Sequence, residues 1–142
     1  MKGDATDMPF VLDASVTLGW CFPDERQDLI AIVEDRLEDD DRAYVPLIWW
    51  FEVRQAALMG LRGKRVPIER VLDFLVKVRR TDIVIATLPV SSTVFDLALR
   101  HNLTFYDAAY LELAQRESLP LATLDHALVR AASAEGVALI AA

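Results

Sequence analysis

The sequence holds one cysteine, Cys21, which excludes an internal disulfide and a cysteine-rich zinc site and agrees with a reducing compartment. No apolar run reaches the roughly 18 to 20 residues that a membrane span needs, because Asp, Glu, Arg or Pro cuts each stretch short. No membrane segment is therefore expected. Residues 1–7 carry one Lys and two Asp before a very short apolar run, without the basic start and long apolar centre of a secretory signal. Residues 1–8 read as a flexible leader, and the protein as cytoplasmic. Positive charge is scarce too: 15 Lys and Arg stand against 22 Asp and Glu, a net charge of -7. Phosphate neutralisation supplies most non-specific affinity for nucleic acid, so any RNA must be held by a local patch, a metal, or both.

What remains is the composition of a well-filled core under a charged skin, with 54% hydrophobic and 26% charged residues. A chain of 142 residues suits one compact domain, taken as residues 9–142, and one active site. Short apolar runs at 9–12, 43–45, 83–85, 121–123 and 137–140 read as buried strands. Between them the period changes to about 3.6, predicting helices near 26–37, 47–61, 67–79, 91–101, 106–117 and 126–134. Pro46 and Pro67 suit first-turn positions, Ser91 or Ser92 a cap, and Gly63 and Gly136 left-handed positions after helices. Strands alternating with helices predict an α/β fold with a mainly parallel sheet of four to five strands. No internal repeat or low-complexity linker interrupts it. The acidic run Glu38-Asp39-Asp40-Asp41 reads as a solvated loop before the second strand.

Ligands of open parallel sheets bind beyond the carboxyl ends of the strands, so acids placed there matter most. Asp13 ends the first strand, Asp125 follows the fourth, and Asp107 opens the helix before it. Right-handed crossovers would bring all three to one edge. Glu52 lies inside a helix, in a row with Ile48, Ala56 and Met59 and beside the row Trp49, Val53, Ala57, so it interrupts a largely inward-facing surface. Asp107 likewise heads a stripe of Tyr110, Leu111 and Ala114. A buried carboxylate needs a cation, a metal or several donors.

Each acid also has a plainer reading. Asp13 and Asp125 suit N-caps. Thr104 and Asp107 form a Thr-x-x-Asp version of the capping box. Glu52 could pair with a nearby Arg. Independent caps have no reason to converge with an internal helical Glu, and four clustered carboxylates repel unless a cation joins them. With no Cys or His among them, Mg²⁺ or Mn²⁺ is expected in preference to zinc, and the chemistry that follows is phosphodiester hydrolysis.

The segments Val11-Leu12-Asp13-Ala14-Ser15, Phe51-Glu52-Val53, Tyr106-Asp107-Ala108-Ala109-Tyr110-Leu111-Glu112-Leu113-Ala114 and Leu121-Ala122-Thr123-Leu124-Asp125 carry a resemblance. By these segments the chain resembles the PIN-domain ribonucleases, and more narrowly the VapC-type toxins of toxin-antitoxin pairs, from Phe10 to Ile140. The resemblance implies a three-layer α/β/α sandwich and a Mg²⁺- or Mn²⁺-dependent endoribonuclease. It places the family's catalytic, metal-binding acids at Asp13, Glu52, Asp107 and Asp125. It also implies supporting hydroxyls at Ser15 and Thr123, which could instead satisfy helix termini. A cognate antitoxin and a homodimer are implied as well. His126 is either a substrate contact or a simple first-turn residue.

Trp49 and Trp50 are about 100° apart on a helix and cannot fill one core site; with Trp20 and Phe22, one of them could line a partner groove, or all could pack in the core. Arg54, Arg62, Lys64, Arg65 and Arg100 are candidate RNA contacts, Arg62-Gly63-Lys64-Arg65 being the compact basic cluster, equally readable as a solvated link between helices. Two rival functions remain: a catalytically silent PIN-like binding module, and an aspartate-based phosphoryl-transfer domain. The latter fits poorly, since Ser15 stands where a phosphatase would carry its second Asp.

Overall fold

The computed structural model describes residues 8–25 and 27–141, with only the backbone of Glu25. The expected leader lies outside them except for Met8. That residue is tied down: its N–H donates to Asp41 Oδ1 at 3.1 Å and its carbonyl accepts from Arg36 at 3.2 Å.

Four strands form one parallel sheet in the order β3-β2-β1-β4: β1 is Phe10–Leu12, β2 Ala43–Val45, β3 Ile83–Ile85 and β4 Leu121–Ala122. β1 lies inside the sheet and is wholly buried, which is why it reads as an uninterrupted apolar run. The fifth expected strand shrinks to a parallel bridge between Leu121 and Leu139, with two ladder bonds of 2.9 and 3.0 Å on Leu121.

Seven helices surround the sheet: α1 Ala14–Thr17, α2 Asp28–Glu38, α3 Leu47–Arg62, α4 Ile68–Arg80, α5 Ser91–His101, α6 Phe105–Glu117 and α7 His126–Ala134. The last six match the predicted spans to within two residues at each end. The short α1 and the 3₁₀ turns Leu18–Trp20 and Pro23–Glu25 are too brief for a period to announce them.

Pro46 and Pro67 stand one place earlier than expected, as the N-cap residues of α3 and α4, where extended backbone suits a proline. Val90 takes the N-cap position of α5, so neither Ser91 nor Ser92 caps it. Gly63 ends α3 at φ -81°; the left-handed residue there is Lys64, while Gly136 does adopt φ +73°. Gly19 is required by close approach, since a Cβ there would stand 2.1 Å from Ile30 Cδ1.

The acidic run is not simply solvated. Asp41 is 5% exposed and accepts from Arg36 Nε at 3.0 Å as well as from Met8. Three apolar groups from distant segments complete the core around β1: Trp20 and Phe22, the α3 row Trp49, Val53 and Ala57, and the α6 run from Ala108 to Ala114. Trp49 Nε1 donates to Thr17 Oγ1 at 3.0 Å, and Thr17 Oγ1 donates to the Asp13 carbonyl at 3.3 Å. This buried chain docks α3 against the end of β1. No helix among the described residues is long and apolar enough to cross a membrane.

Candidate functional site

β1 ends at Asp13, and the register Leu12↔Ala122 sets Thr123 beside it on the neighbouring strand. Asp13 occupies the N-cap position of α1, but its side chain caps nothing. Its Oδ2 accepts instead from Ser15 Oγ and from Thr123 Oγ1, each at 2.7 Å. Those hydroxyls in turn accept the N–H groups of Leu124 and Asp125 at 3.0 Å, which leaves their protons directed at the carboxylate. Ser15 and Thr123 are thereby joined to Asp13.

Asp125 is a helix cap as well as a site candidate: its Oδ1 accepts from Leu128 N–H at 3.0 Å. Asp107 sits in the first turn of α6, where its N–H donates to the cap residue Thr104 at 3.0 Å. Glu52, half-buried on α3, accepts from the Tyr110 hydroxyl at 2.7 Å, and among the described residues it pairs with no Arg. The α3 surface around it is less uniform than predicted: Trp49, Val53 and Ala57 are buried, whereas Met59 is 51% exposed. The carboxylate therefore emerges at the margin of the buried stripe, where it can meet both protein and solvent.

The electrostatics tie the acids together. Burial is the main reason that Asp13 holds its proton above the ordinary carboxylate range; the hydroxyls of Ser15 and Thr123 oppose the rise, and the charges of Asp107 and Asp125 add to it. Glu52 is pushed up by burial, then by Asp13 and Asp107, against the Tyr110 hydrogen bond. Asp107 is pushed up by burial and then by Asp125, with Thr104 opposing. Among the described residues, no Lys or Arg contributes to these three shifts. Asp13, Glu52 and Asp107 thus each feel the charge of other acids of the set. As they stand, no three Asp, Glu, His or Cys side chains among the described residues converge closely enough to hold an ion.

The expected basic contacts are dispersed. Arg54 donates to the Trp50 carbonyl at 3.0 Å and stacks 4.0 Å over the Trp50 ring. Arg65 pairs with Asp24 at 3.0 Å and covers Phe22. Arg100 is engaged by Asp96 and Glu135. Arg62 and Lys64 are exposed at the end of α3, and His126 is an exposed first residue of α7. The adjacent tryptophans part company: Trp49 is 2% and Trp50 40% exposed, while Trp20 and Phe22 pack in the core.

Two buried polar side chains escaped the sequence reading. Tyr110 was seen only as an apolar position, although a buried tyrosine needs a partner for its hydroxyl. Glu112 lies among the buried residues of α6 and is held by Arg116 Nε at 2.9 Å; the four-residue spacing to Arg116 was the available signal.

In comparisons with known proteins, no curated sequence matches this one significantly. Among solved structures, PAE2754 from Pyrobaculum aerophilum is similar at 21% identity and TM-score 0.63, covering 87% of this chain and 86% of that one. A toxin-antitoxin complex from Klebsiella pneumoniae is similar at 15% identity and TM-score 0.57, covering 82% and 86%. FitAcB from Neisseria gonorrhoeae is similar at 21% identity and TM-score 0.60, covering 94% and 97%. The family model described as the PIN domain matches residues 10–134, a span that runs from the first residue of β1 to the last of α7 and contains all four acids; the chain belongs to the PIN domain family.

Proposed function

We propose that the protein is a Mg²⁺- or Mn²⁺-dependent endoribonuclease that hydrolyses RNA phosphodiesters through Asp13, Glu52, Asp107 and Asp125. Family membership supports a nuclease-type hydrolase. The observation that carries the reading is Asp13: a carboxylate 6% exposed, facing two other acids, with only two hydroxyls to neutralise it. An all-oxygen donor set at an open edge fits a hard divalent cation. When bound, such a cation supplies Lewis-acid stabilisation of the charge that builds on phosphate oxygens during in-line displacement. Asp13, Glu52, Asp107 and Asp125 would hold it. Ser15 and Thr123 keep Asp13 Oδ2 in place and favour its ionised form, leaving Oδ1 without a donor among the described residues. Asp125 is oriented by its own helix cap, which fixes one oxygen on Leu128 N–H and leaves the other for the site.

The cellular setting follows as part of the same proposal. One similar structure is described as a toxin-antitoxin complex, which supports a toxin role here and a cognate antitoxin as partner; action in the cytoplasm and pairing as a homodimer are parts of the proposal that rest on the sequence resemblance alone. The exposed rings of Trp50 and Phe51, packed edge to face at 5.1 Å, and Leu58 beside them offer apolar contact area for a protein partner. Arg62 and Lys64 are the cations best placed to meet RNA, with Arg54, Arg65 and Arg100 available if their present contacts yield.

The deciding experiment incubates the purified chain, freed of any accompanying protein, with total RNA and Mn²⁺ beside an Asp13→Asn variant. Metal-dependent fragments from the parent alone are expected. Equal RNA integrity in both samples would refute catalysis.

A further inference from the structure

The four acids are not held equally well. Asp13 has two hydroxyl donors and Asp125 caps α7, while Asp107 is anchored in the first turn of α6 through its backbone N–H, which donates to Thr104. These are short side chains with little freedom to lose. Glu52 has a longer side chain on a different layer of the fold, and its one hydrogen bond among the described residues is the 2.7 Å contact from Tyr110. Tyr110 itself is fully buried in the middle of α6, so its ring cannot follow Glu52 into solvent. One buried phenolic oxygen on α6 therefore holds a carboxylate carried by another element, α3.

We infer that Tyr110 is a positioning residue of the acidic site: its hydroxyl, donating to Glu52 Oε1 from the buried side of α6, fixes the Glu52 carboxylate in the orientation in which it and Asp13 meet one divalent cation. This rests on the metal reading of the site. A phenol ordinarily keeps its proton up to about pH 10, so at neutral pH the hydroxyl is a donor to Glu52. A hydroxyl behind a metal-ligating carboxylate acts by orienting the ligand, and loss of such a partner costs about 10- to 100-fold in metal affinity.

Calorimetric Mn²⁺ titration of the full chain in four forms tests this: parent, Tyr110→Phe, Glu52→Ala and the double variant, with Asp13→Asn as a control. Tyr110→Phe keeps the ring in the core and should bind Mn²⁺ about 10-fold more weakly. In the Glu52→Ala background the same change should alter affinity less than about twofold, because the hydroxyl then has no carboxylate to place. Parental affinity in Tyr110→Phe overturns the proposal, as does an equal loss with and without Glu52, which would mark a packing effect. A parent that takes up no Mn²⁺, or an Asp13→Asn variant that binds as well as the parent, overturns the metal reading and this inference with it. Should Tyr110→Phe fail to fold, 3-fluorotyrosine placed at 110 in the otherwise unaltered chain gives the answer. Its ¹⁹F resonance should move on Glu52→Ala and on Mg²⁺ addition, and indifference to both overturns the assignment.

Discussion

Asp13 and Glu112 are both sealed from solvent, at 6% and 2% exposure, yet they are neutralised in opposite ways. Glu112 receives the guanidinium fork of Arg116 at 2.9 and 3.3 Å and the Val90 N–H at 3.3 Å, while Arg116 also reaches the Thr87 hydroxyl and carbonyl. The chain supplies its own cation there and uses it to clamp the β3–α5 connection onto α6. At Asp13 it supplies hydroxyls and further negative charge. Glu112 is thus a structural element with its cation built in, whereas under the proposed function Asp13 takes its cation from outside. The contrast predicts opposite responses to mutation.

The largest effect should come from breaking the internal pair. Arg116→Ala leaves Glu112 buried and uncompensated and should cost about 3 kcal/mol or more, read as a lower denaturation midpoint in urea. Wild-type stability would show that Glu112 is protonated or rehydrated and would erase the contrast. Removing the charge at Asp13 should do the reverse. Asp13→Asn should lower RNA cleavage by about 100-fold or more while raising the thermal midpoint of the metal-free protein by about 3 °C or more, the shift that roughly 1 kcal/mol makes in a domain of this size. A variant that is both inactive and less stable would mean that Asp13 is structural.

The pH dependence sharpens the same point. Burial raises the pKa of Asp13 and of Glu52 in the folded protein, so the native state binds these protons more tightly than the unfolded chain. Their destabilising contribution is absent below the unfolded carboxylate value and grows as pH rises from there through the raised folded values. The stability difference between Asp13→Asn and the parent, measured in EDTA, should therefore widen from about pH 4 upward. Saturating Mg²⁺ should narrow it again at neutral pH. A difference that stays flat with pH would place Asp13 in an unperturbed environment. The smallest effect belongs to the basic loop: Arg62→Glu with Lys64→Glu should weaken RNA binding several-fold and reduce its salt slope by about 1 per residue. An unchanged slope would remove the loop from the RNA path.

Much of this was legible in the residues. The strands at 10–12, 43–45 and 83–85 announce themselves as short apolar runs, and six helices by period, because burial on one or both faces writes itself into local pattern. The acids Asp13 and Asp125 were visible from their places at strand ends. The fifth strand was over-read, since 137–140 has the composition of a strand but pairs through a single bridge. Asp41 was misjudged, because its partners Arg36 and Met8 approach from a helix and from a segment 33 residues away. Arg100 was read as a candidate RNA contact; Asp96, one turn back on α5, and Glu135, 35 residues on at the end of α7, engage it.

The sequence by itself determined the alternation of strand and helix, the carboxylate character of the candidate residues, the excess of acids over Lys and Arg in the chain and the exclusion of an internal disulfide. These are properties of residue type and spacing, which no rearrangement of the chain can change. Only the tertiary structure decided which oxygens meet. Thr123 reaches Asp13 across 110 residues and Tyr110 reaches Glu52 across 58. Contacts of that separation depend on strand register and on how helices dock, and those are settled by packing the whole core at once.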